Sequence, residues 1–562
     1  MEYGWILNKN LACTEKSDWE YVRREKYSLQ KRLLGKFPKD LLDCEFFHVD
    51  FFLDGYVENR GELEDKFQEK WERIFFRICQ DNVNLNVMRG AFSGFVYNRD
   101  KDEITLYTDQ MGNKTLYYFI HEDFISVSSS VEEIVKVLKK NKKPIHLDQN
   151  AVKYMLTYGY MLDDTTFIKE IKRVLPGHKI ILQNGKVRKE VYYRLNNEKI
   201  ECCTFQEAID KIDMAFRTAI RREFEKDREG GYRHLVDLSG GLDSRMVCWV
   251  ADELGYCDQL NITYCKNGYL DQKISQQIAE NLRHDFLFKP LDDVNWLYDI
   301  DEIVEKNNGA ALFTGITGGN RLLKSLNKEQ FGIEHTGMIG DVIISAFFAE
   351  ESEAYSKPEF GKMRYSDKLQ VQLDKNVLHE YPNMEIFTLA TRAILGAASS
   401  YMIRQNYFET ASPFMDVDFV NTCLSLPLSY RARHEIYLEW ISQKYPKAAE
   451  YGWEKWGGAK PKKNEISRRK IITAGKLLKW KVESIAGRIP KDINMNPIDY
   501  WYRTNYDLQR FFEDYFQKNI GNPAIEDEMR GQIETLFKTG SVSEKGMALT
   551  VLGLVKLYFD VI

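Results

Sequence analysis

The feature that most limits the fold is a short apolar run ending in a glycine loop. His234-Leu235-Val236-Asp237-Leu238 leads directly into Ser239-Gly240-Gly241-Leu242-Asp243-Ser244, and a helical tract continues to Leu254. A buried strand that turns through two glycines into a helix leaves backbone N–H groups unpaired at the helix start, where the peptide dipoles add partial positive charge. Such a loop favours a bound phosphate. Gly240 and Gly241 permit close approach, and Ser239 and Ser244 add hydroxyl donors. Asp243 suits phosphate oxygens only if it ligates a magnesium ion that neutralises them, so the loop predicts a metal–phosphate site.

The surrounding pattern predicts a parallel sheet. A strand over Gln259 to Tyr264, a helix over Asp271 to Leu282 and a strand over Phe286 to Phe288 follow with short connections. Upstream, the apolar run Phe46 to Leu53 reads as a hairpin turning at Asp54-Gly55 into Tyr56-Val57. Glu62 to Cys79 has helical spacing, and Gly90 to Tyr97, Glu103 to Thr108 and Thr115 to Phe119 read as strands. Leu175-Pro176-Gly177-His178 opens a further hairpin, Lys179 to Leu182 and Lys186 to Tyr193, turning at Asn184-Gly185. The expected division is an α+β unit over 1–200 and an α/β unit over 201–562, helical from about 370.

Composition excludes several function classes. A net charge of -5 with 29% charged residues gives no general reason to expect nucleic acid or an anionic membrane as partner. Met1 to Trp5 shows no basic segment leading into an apolar run, so no secretory signal is readable and a cytoplasmic location is expected. Ala548 to Ile562, interrupted by Lys556 and Asp560, reads as a core-docking helix rather than a span. The nine cysteines form no Cys-x-x-Cys pair. Among the nine histidines no His-Glu-x-x-His and no close His/Asp pair suggests a metalloenzyme or hydrolytic triad, and structural or surface roles are expected.

The loop lacks the Gly-Lys-Ser/Thr of a P-loop and the Gly-x-Gly-x-x-Gly of a dinucleotide site. Ser239 to Ser244 resembles instead the pyrophosphate loop of N-type ATP pyrophosphatases, and within that superfamily the chain is similar to the asparagine synthetase and β-lactam synthetase class. Four segments carry the resemblance in order. Arg89-Gly90-Ala91-Phe92 through Thr108 to Tyr118 is similar to that family's Arg-Asp-x-x-Gly-x-Lys-Pro-Leu-Tyr-Tyr segment, and Leu175 to His178 to its closing hairpin. Thr336-Gly337-Met338-Ile339-Gly340-Asp341 resembles its second site motif, and Ser412-Pro413-Phe414-Met415-Asp416 its Val-Pro-Phe-Leu-Asp floor.

The resemblance implies an Ntn-hydrolase-like glutaminase-type domain followed by an adenine-nucleotide α-hydrolase-like synthetase domain, with a helical C-terminal region. It implies ATP and Mg2+ as cofactors, with Asp243 and Asp341 ligating the metal. Leu238, Ser239, Gly240, Gly241 and Ser244 would hold the phosphates, and Thr263, Tyr264 and Gly337 would flank adenine and ribose. Lys455 is the expected transition-state lysine and fits the family spacing better than Lys460. The implied reaction activates a small-molecule or peptide carboxylate as an acyl-adenylate, and an amine or ammonia then attacks it.

Departures bear on the amine. Glutamine-using members carry a cysteine directly after the initiator methionine, where this chain has Glu2 and a first cysteine at Cys13. Asp54-Gly55-Tyr56-Val57-Glu58-Asn59 matches the family's Asn-Gly-Glu-Ile-Tyr-Asn only in part, and Ala91 stands where an acid would hold a substrate amine. A degenerate glutaminase domain is therefore expected, with the amine drawn from free ammonia, a separate supplying partner or the substrate itself. Met338 replaces a glutamate or tyrosine and cannot act as a base. The basic stretch Lys460 to Lys481 reads as a solvated helix face or a dock for an acidic intermediate. Three alternatives stay open: an intramolecular cyclase of lasso-peptide or β-lactam type, a noncatalytic nucleotide-binding homologue, and a tRNA-modifying enzyme. For the last, neither an RNA-binding domain nor a basic balance is evident.

Overall fold

The computed structural model describes residues 2–14, 16–80, 84–315, 318–369, 373–462, 475 and 494–560. Its N-terminal part is two stacked antiparallel sheets of six strands each. The first runs in the order Lys172–Arg173, Tyr117–His121, Phe124–Ser128, Gly4–Lys9, Ser28–Arg32, Glu20–Arg23; the second Lys186–Val191, His178–Gln183, Glu103–Thr108, Gly90–Asn98, Val49–Val57, Leu42–Phe46. Trp5, Leu7 and Val127 of the first sheet meet Phe52, Phe95 and Leu106 of the second in one core, because alternate residues of each strand face inward. Helices cover both outer faces. Trp71–Cys79 lays Trp71, Ile74 and Phe75 on the second sheet, and Val131–Lys140 lays Ile134 and Leu138 on the first. The result is two stacked sheets between helices, consistent with the expected Ntn-hydrolase-like α+β unit.

The expected hairpin at Asp54-Gly55 is corrected. The turn falls at Phe47-His48, and Val49–Val57 is one strand that runs through Asp54 and Gly55 and pairs along its length with Gly90–Asn98. Asp-Gly signals a turn when the chain reverses there, but here the glycine serves close approach: at φ +109°, a Cβ on Gly55 would lie 2.1 Å from the Ala91 carbonyl oxygen. The single helix expected over Glu62 to Cys79 is two, Arg60–Phe67 and Trp71–Cys79, broken where Gln68 takes a left-handed conformation.

The third sheet is parallel, in the order Asp285–Pro290, Gln259–Cys265, Arg233–Asp237, Phe331–His335, Glu409–Ala411. Its last strand lies in the part of the chain read as helical. Helix Phe205–Gly230 leads in, its start fixed by a capping box of Thr204 and Glu207 and its end by Gly231 at φ +74°. Strand order reverses between Arg233–Asp237 and Phe331–His335, so the loops leaving these two strands flank a crevice at the carboxyl edge of the sheet, the usual ligand position in such folds.

Residues Met384–Arg404 are long and apolar enough to cross a membrane, but 78% of their most apolar window is buried inside the protein. The C-terminal helix Val542–Phe559 docks in the core as its composition requires. It does so against the N-terminal region: Leu549, Leu552 and Val555 share one cluster with Ile134, Leu138, Val152 and Met155. Buried ion pairs also cross between the two parts, Lys226 with Asp40 at 2.7 Å and Lys114 with Glu409 at 2.9 Å. The basic stretch Lys460 to Lys481 lies almost wholly outside the described residues; Lys460 and Lys462 within it pair with Glu450.

Candidate active site

The glycine loop leaves strand Arg233–Asp237 at Leu238, which is buried and donates its N–H to the Ile262 carbonyl at 2.9 Å. Ser239 N–H and Ser239 Oγ both lie 2.9 Å from Ser244 Oγ, and Gly241 N–H donates to Ser239 Oγ at 3.1 Å. These short bonds hold the loop in a tight arc at the start of helix Asp243–Glu253. Gly240 N–H is engaged elsewhere: it donates at 2.8 Å to Asp271 Oδ1, a buried carboxylate whose pKa is pushed up to about 6 by burial. Arg245, wholly buried, spans from the Gly240 carbonyl to the carbonyls of Ala448, Tyr451 and Gly452, fastening the loop to the segment that carries Lys455.

The second loop, after strand Phe331–His335, packs directly on the first. Gly337 and Gly340 are required by contact: a Cβ on Gly337 would lie 2.3 Å from Ser244 N, and one on Gly340 would lie 2.8 Å from Asp243 Cγ. Ile339, a β-branched residue, adopts φ +56° in this turn, a conformation that only a tightly constrained backbone holds. The turn aims Asp341 N–H at Asp243 Oδ2, 3.0 Å away, while Tyr437 Oη donates to Asp243 Oδ1 at 2.6 Å. Burial first, and then the neighbouring Asp341 carboxylate, push the Asp243 pKa up to about 7.

Lys455 reaches the same place. Its Nζ is 3.6 Å from Asp341 Oδ2 and 3.2 Å from His434 Nε2, with its side chain about half exposed. Lys460 instead pairs with Glu450 at 2.6 Å. Thr263 is buried under the loop, its hydroxyl on the Leu238 carbonyl and Ser275 Oγ, so what it can offer a ligand is backbone. The Tyr264 ring lies against Gly319, where a Cβ would come within 2.7 Å of it, and its hydroxyl accepts from Arg404. Met338 packs its side chain against a core containing Ile343 and Phe414, and its carbonyl accepts from Ser412 Oγ at 3.1 Å. Asp416 caps helix Val417–Leu424 through the N–H groups of Asp418 and Phe419, a structural use of the floor motif.

Sequence reasoning missed Tyr437, Arg245, Asp271 and His434. Tyr437, Arg245 and Asp271 reach the first loop and His434 reaches Lys455, each from a different element, and none carries a local signal that separates it from an ordinary core or capping residue. Two His/Asp groups that no spacing along the chain marks also form in the interior. Cys248, His284 and Asp252 line up with Cys248 Sγ 3.7 Å from His284 Nδ1 and His284 Nε2 3.1 Å from Asp252 Oδ1. Cys248 is fully buried and its thiol is pushed up by burial, which makes it inert rather than nucleophilic. The other joins Asp227, His234 and His335 on neighbouring elements.

In the double-sheet region, Ala91 lies inside the strand ladder opposite Tyr56, buried against Phe37 and Ile333, so it faces no substrate position. Among the acids of that region, which include Asp54 and Glu58, Asp109 accepts N–H groups from Phe92, Met111, Asn113 and Lys114 on its two oxygens. Cys13 follows strand Gly4–Lys9 and lies 3.0 Å from Ser28 Oγ.

The family model for a glutamine amidotransferase domain matches residues 78–193, which cover most of the second antiparallel sheet. The chain is 20% identical over 258 residues to the glutamine-hydrolyzing asparagine synthetase 1 of Bacillus subtilis, covering 44% of this chain and 39% of that relative. To the putative glutamine-hydrolyzing asparagine synthetase 1 of Methanocaldococcus jannaschii it is 20% identical over 415 residues, 71% of this chain and 68% of that one. Among solved structures, the glutamine phosphoribosylpyrophosphate amidotransferase of B. subtilis complexed with ADP and GMP overlaps 51% of this chain and 84% of its own, at 10% identity and a TM-score of 0.24.

Proposed function

We propose that this asparagine synthetase-like chain is an ATP-dependent amide-forming ligase that activates a substrate carboxylate as an acyl-adenylate, releasing pyrophosphate and then AMP. One observation carries the reading: two carboxylates from the two loops at the switch point, Asp243 and Asp341, come together with Lys455 beside them. Their donor set fits magnesium, a hard cation that takes carboxylate oxygens. Two adjacent carboxylates call for a cation, and the neighbouring Asp341 adds to the burial that raises the Asp243 pKa. The ion, when bound, supplies charge neutralisation and orientation of the triphosphate.

The remaining steps fall to the chain's own groups. Gly241 N–H would exchange its bond to Ser239 Oγ, and the Ser239 and Ser244 hydroxyls their mutual bond, for the departing pyrophosphate at the start of helix Asp243–Glu253, where the dipole adds to them. Tyr437 and the Asp341 N–H hold Asp243 in one orientation. Lys455, on a segment tied to the loop by Arg245 and by the Glu454 N–H on the Gly240 carbonyl, brings a positive charge to where negative charge builds as the amine attacks and AMP departs. Met338 offers no proton acceptor, so the attacking amine arrives as the free base or loses its proton to another group.

The amine is proposed to come from ammonia, a small amine or the substrate itself. Asp109 is saturated by backbone donors and Lys114 is paired with Glu409, which leaves neither to bind glutamine in the double-sheet region. The test is ATP–[32P]pyrophosphate exchange with magnesium across a panel of sugar acids, amino acids and peptide acids, with Asp243→Ala and Asp341→Ala as controls. Exchange dependent on one acid and lost in both variants establishes adenylation. Absence of both exchange and ATP binding removes the proposal.

A further inference from the structure

Behind the two nucleotide loops, three side chains from three elements converge. His234 lies on strand Arg233–Asp237, His335 ends the adjacent strand Phe331–His335, and Asp227 is in the last turn of helix Phe205–Gly230; their ligand atoms all lie within 4.8 Å of one another. Asp227 Oδ2 is 3.1 Å from His234 Nδ1 and 2.8 Å from His335 Nε2. Glu223 Oε1 is 2.6 Å from the other ring nitrogen of His335, and Asp227 Oδ1 accepts the Ile333 N–H at 2.9 Å. His335 and Asp227 are wholly buried, with His234 and Glu223 nearly so. The Phe224 ring stacks on His335 at 3.8 Å and the Tyr256 ring meets His234 edge-on at 5.6 Å, so the group is sealed by aromatic carbon.

We infer that Asp227, His234 and His335 form a structural site for a divalent transition cation, zinc by its two-nitrogen, one-oxygen ligand set, with Glu223 orienting His335 from outside. A carboxylate on the distal nitrogen of a ligating histidine fixes the tautomer that leaves the near nitrogen's lone pair for the metal. Charge points the same way. Asp227 and Glu223 bring two negative charges into a sealed interior; a proton on His335 cancels one, whereas a divalent ion between two neutral imidazoles cancels both. Ligand atoms at ordinary zinc distances on a tetrahedron sit about 3.3 Å apart, so the observed 2.8 and 3.1 Å separations need open by only a few tenths of an ångström. The fourth ligand would be a water entering with the ion.

The ion would tie together the strand that feeds the Ser239 loop, the strand that feeds the Thr336–Asp341 turn and the helix behind them, fixing the spacing of the two loops from below. It is independent of the ligase reading. The test is metal analysis of the full chain, produced in zinc-supplemented medium, purified without a metal-affinity column and dialysed against EDTA. About one zinc per chain is expected, falling below about a tenth in His335→Gln and Asp227→Asn, with Asp243→Ala keeping its zinc. Because the first two variants remove core contacts, cobalt substitution of the unaltered chain supplies a second readout: ligand-field bands of a four-coordinate ion without a thiolate charge-transfer band. Less than about a tenth of a zinc in the unaltered chain, a thiolate band, or zinc lost with Asp243→Ala and kept in His335→Gln would each overturn the assignment.

Discussion

Both halves of the molecule place an aspartate in a turn at a strand's end, but they surround it differently. Asp109, in the antiparallel double sheet, follows strand Glu103–Thr108 and is enclosed by four backbone N–H groups of its own neighbourhood. Asp243, beyond the parallel strand Arg233–Asp237, receives one backbone N–H and one tyrosine hydroxyl, and it faces a second carboxylate and a lysine. A carboxylate saturated by the chain around it holds a turn in shape. One held in place yet left beside a like charge is poised for a cation, because its remaining lone pairs have no hydrogen-bond donor among the described residues. The comparison assigns scaffolding to the first region and chemistry to the second.

The strongest way to break that assignment is Asp243→Ala, expected to lower ATP–pyrophosphate exchange by about a thousandfold or more. Exchange at an unaltered rate would show that the carboxylate is scaffolding too. Lys455→Ala is expected to cost about a hundredfold in amide formation, with Lys460→Ala within about twofold of the unaltered chain; equal losses in the two would dissolve the distinction drawn from the 3.6 Å approach to Asp341.

A smaller effect sharpens the electrostatic contrast. Asp243 takes up its proton below about pH 7, and magnesium needs the ionised form, so protons compete with the metal on the acid side of that value. The magnesium concentration for half-maximal exchange should therefore rise by about fivefold as pH falls from 7 to 6, and fall by no more than about twofold from 7 to 8. A flat profile over the whole range would mean that burial does not hold the proton there. The mildest test falls on the other region. Asp109→Ala leaves buried N–H groups without an acceptor and should lower unfolding stability by on the order of 3 kcal/mol in denaturant titration. Exchange per folded molecule should stay within about twofold; a deep loss would give the double sheet a part in the chemistry.

Much of this arrangement was legible before any coordinates. Strands Glu103–Thr108, His178–Gln183 and Gln259–Cys265, and helix Leu270–Leu282, lie within a residue or so of where local periodicity placed them. The misreading at Asp54-Gly55 has a specific cause: the same dipeptide serves a reversal or a close strand contact, and only the partner strand, with the Ala91 carbonyl against Gly55, decides between them. Glu62 to Cys79 failed differently, since its helical spacing carries across a break at Gln68 that the spacing does not register.

What the sequence determined by itself was set within a few residues: the strand–glycine loop–helix unit, the second glycine turn ending at Asp341 and the alternation that demands a covered parallel sheet. Tertiary structure alone decided which distant groups meet. Tyr437 lies 194 residues from the carboxylate it orients, and His335 lies 108 from the aspartate it contacts. Lys455, already preferred to Lys460 by the family spacing, is the one that folds back toward Asp341, whereas Lys460 pairs with Glu450. Periodicity and turn chemistry are local properties of a chain, whereas a site is a convergence in space. Convergence depends on strand order and on the packing of side chains whose spacing along the chain carries no trace of it.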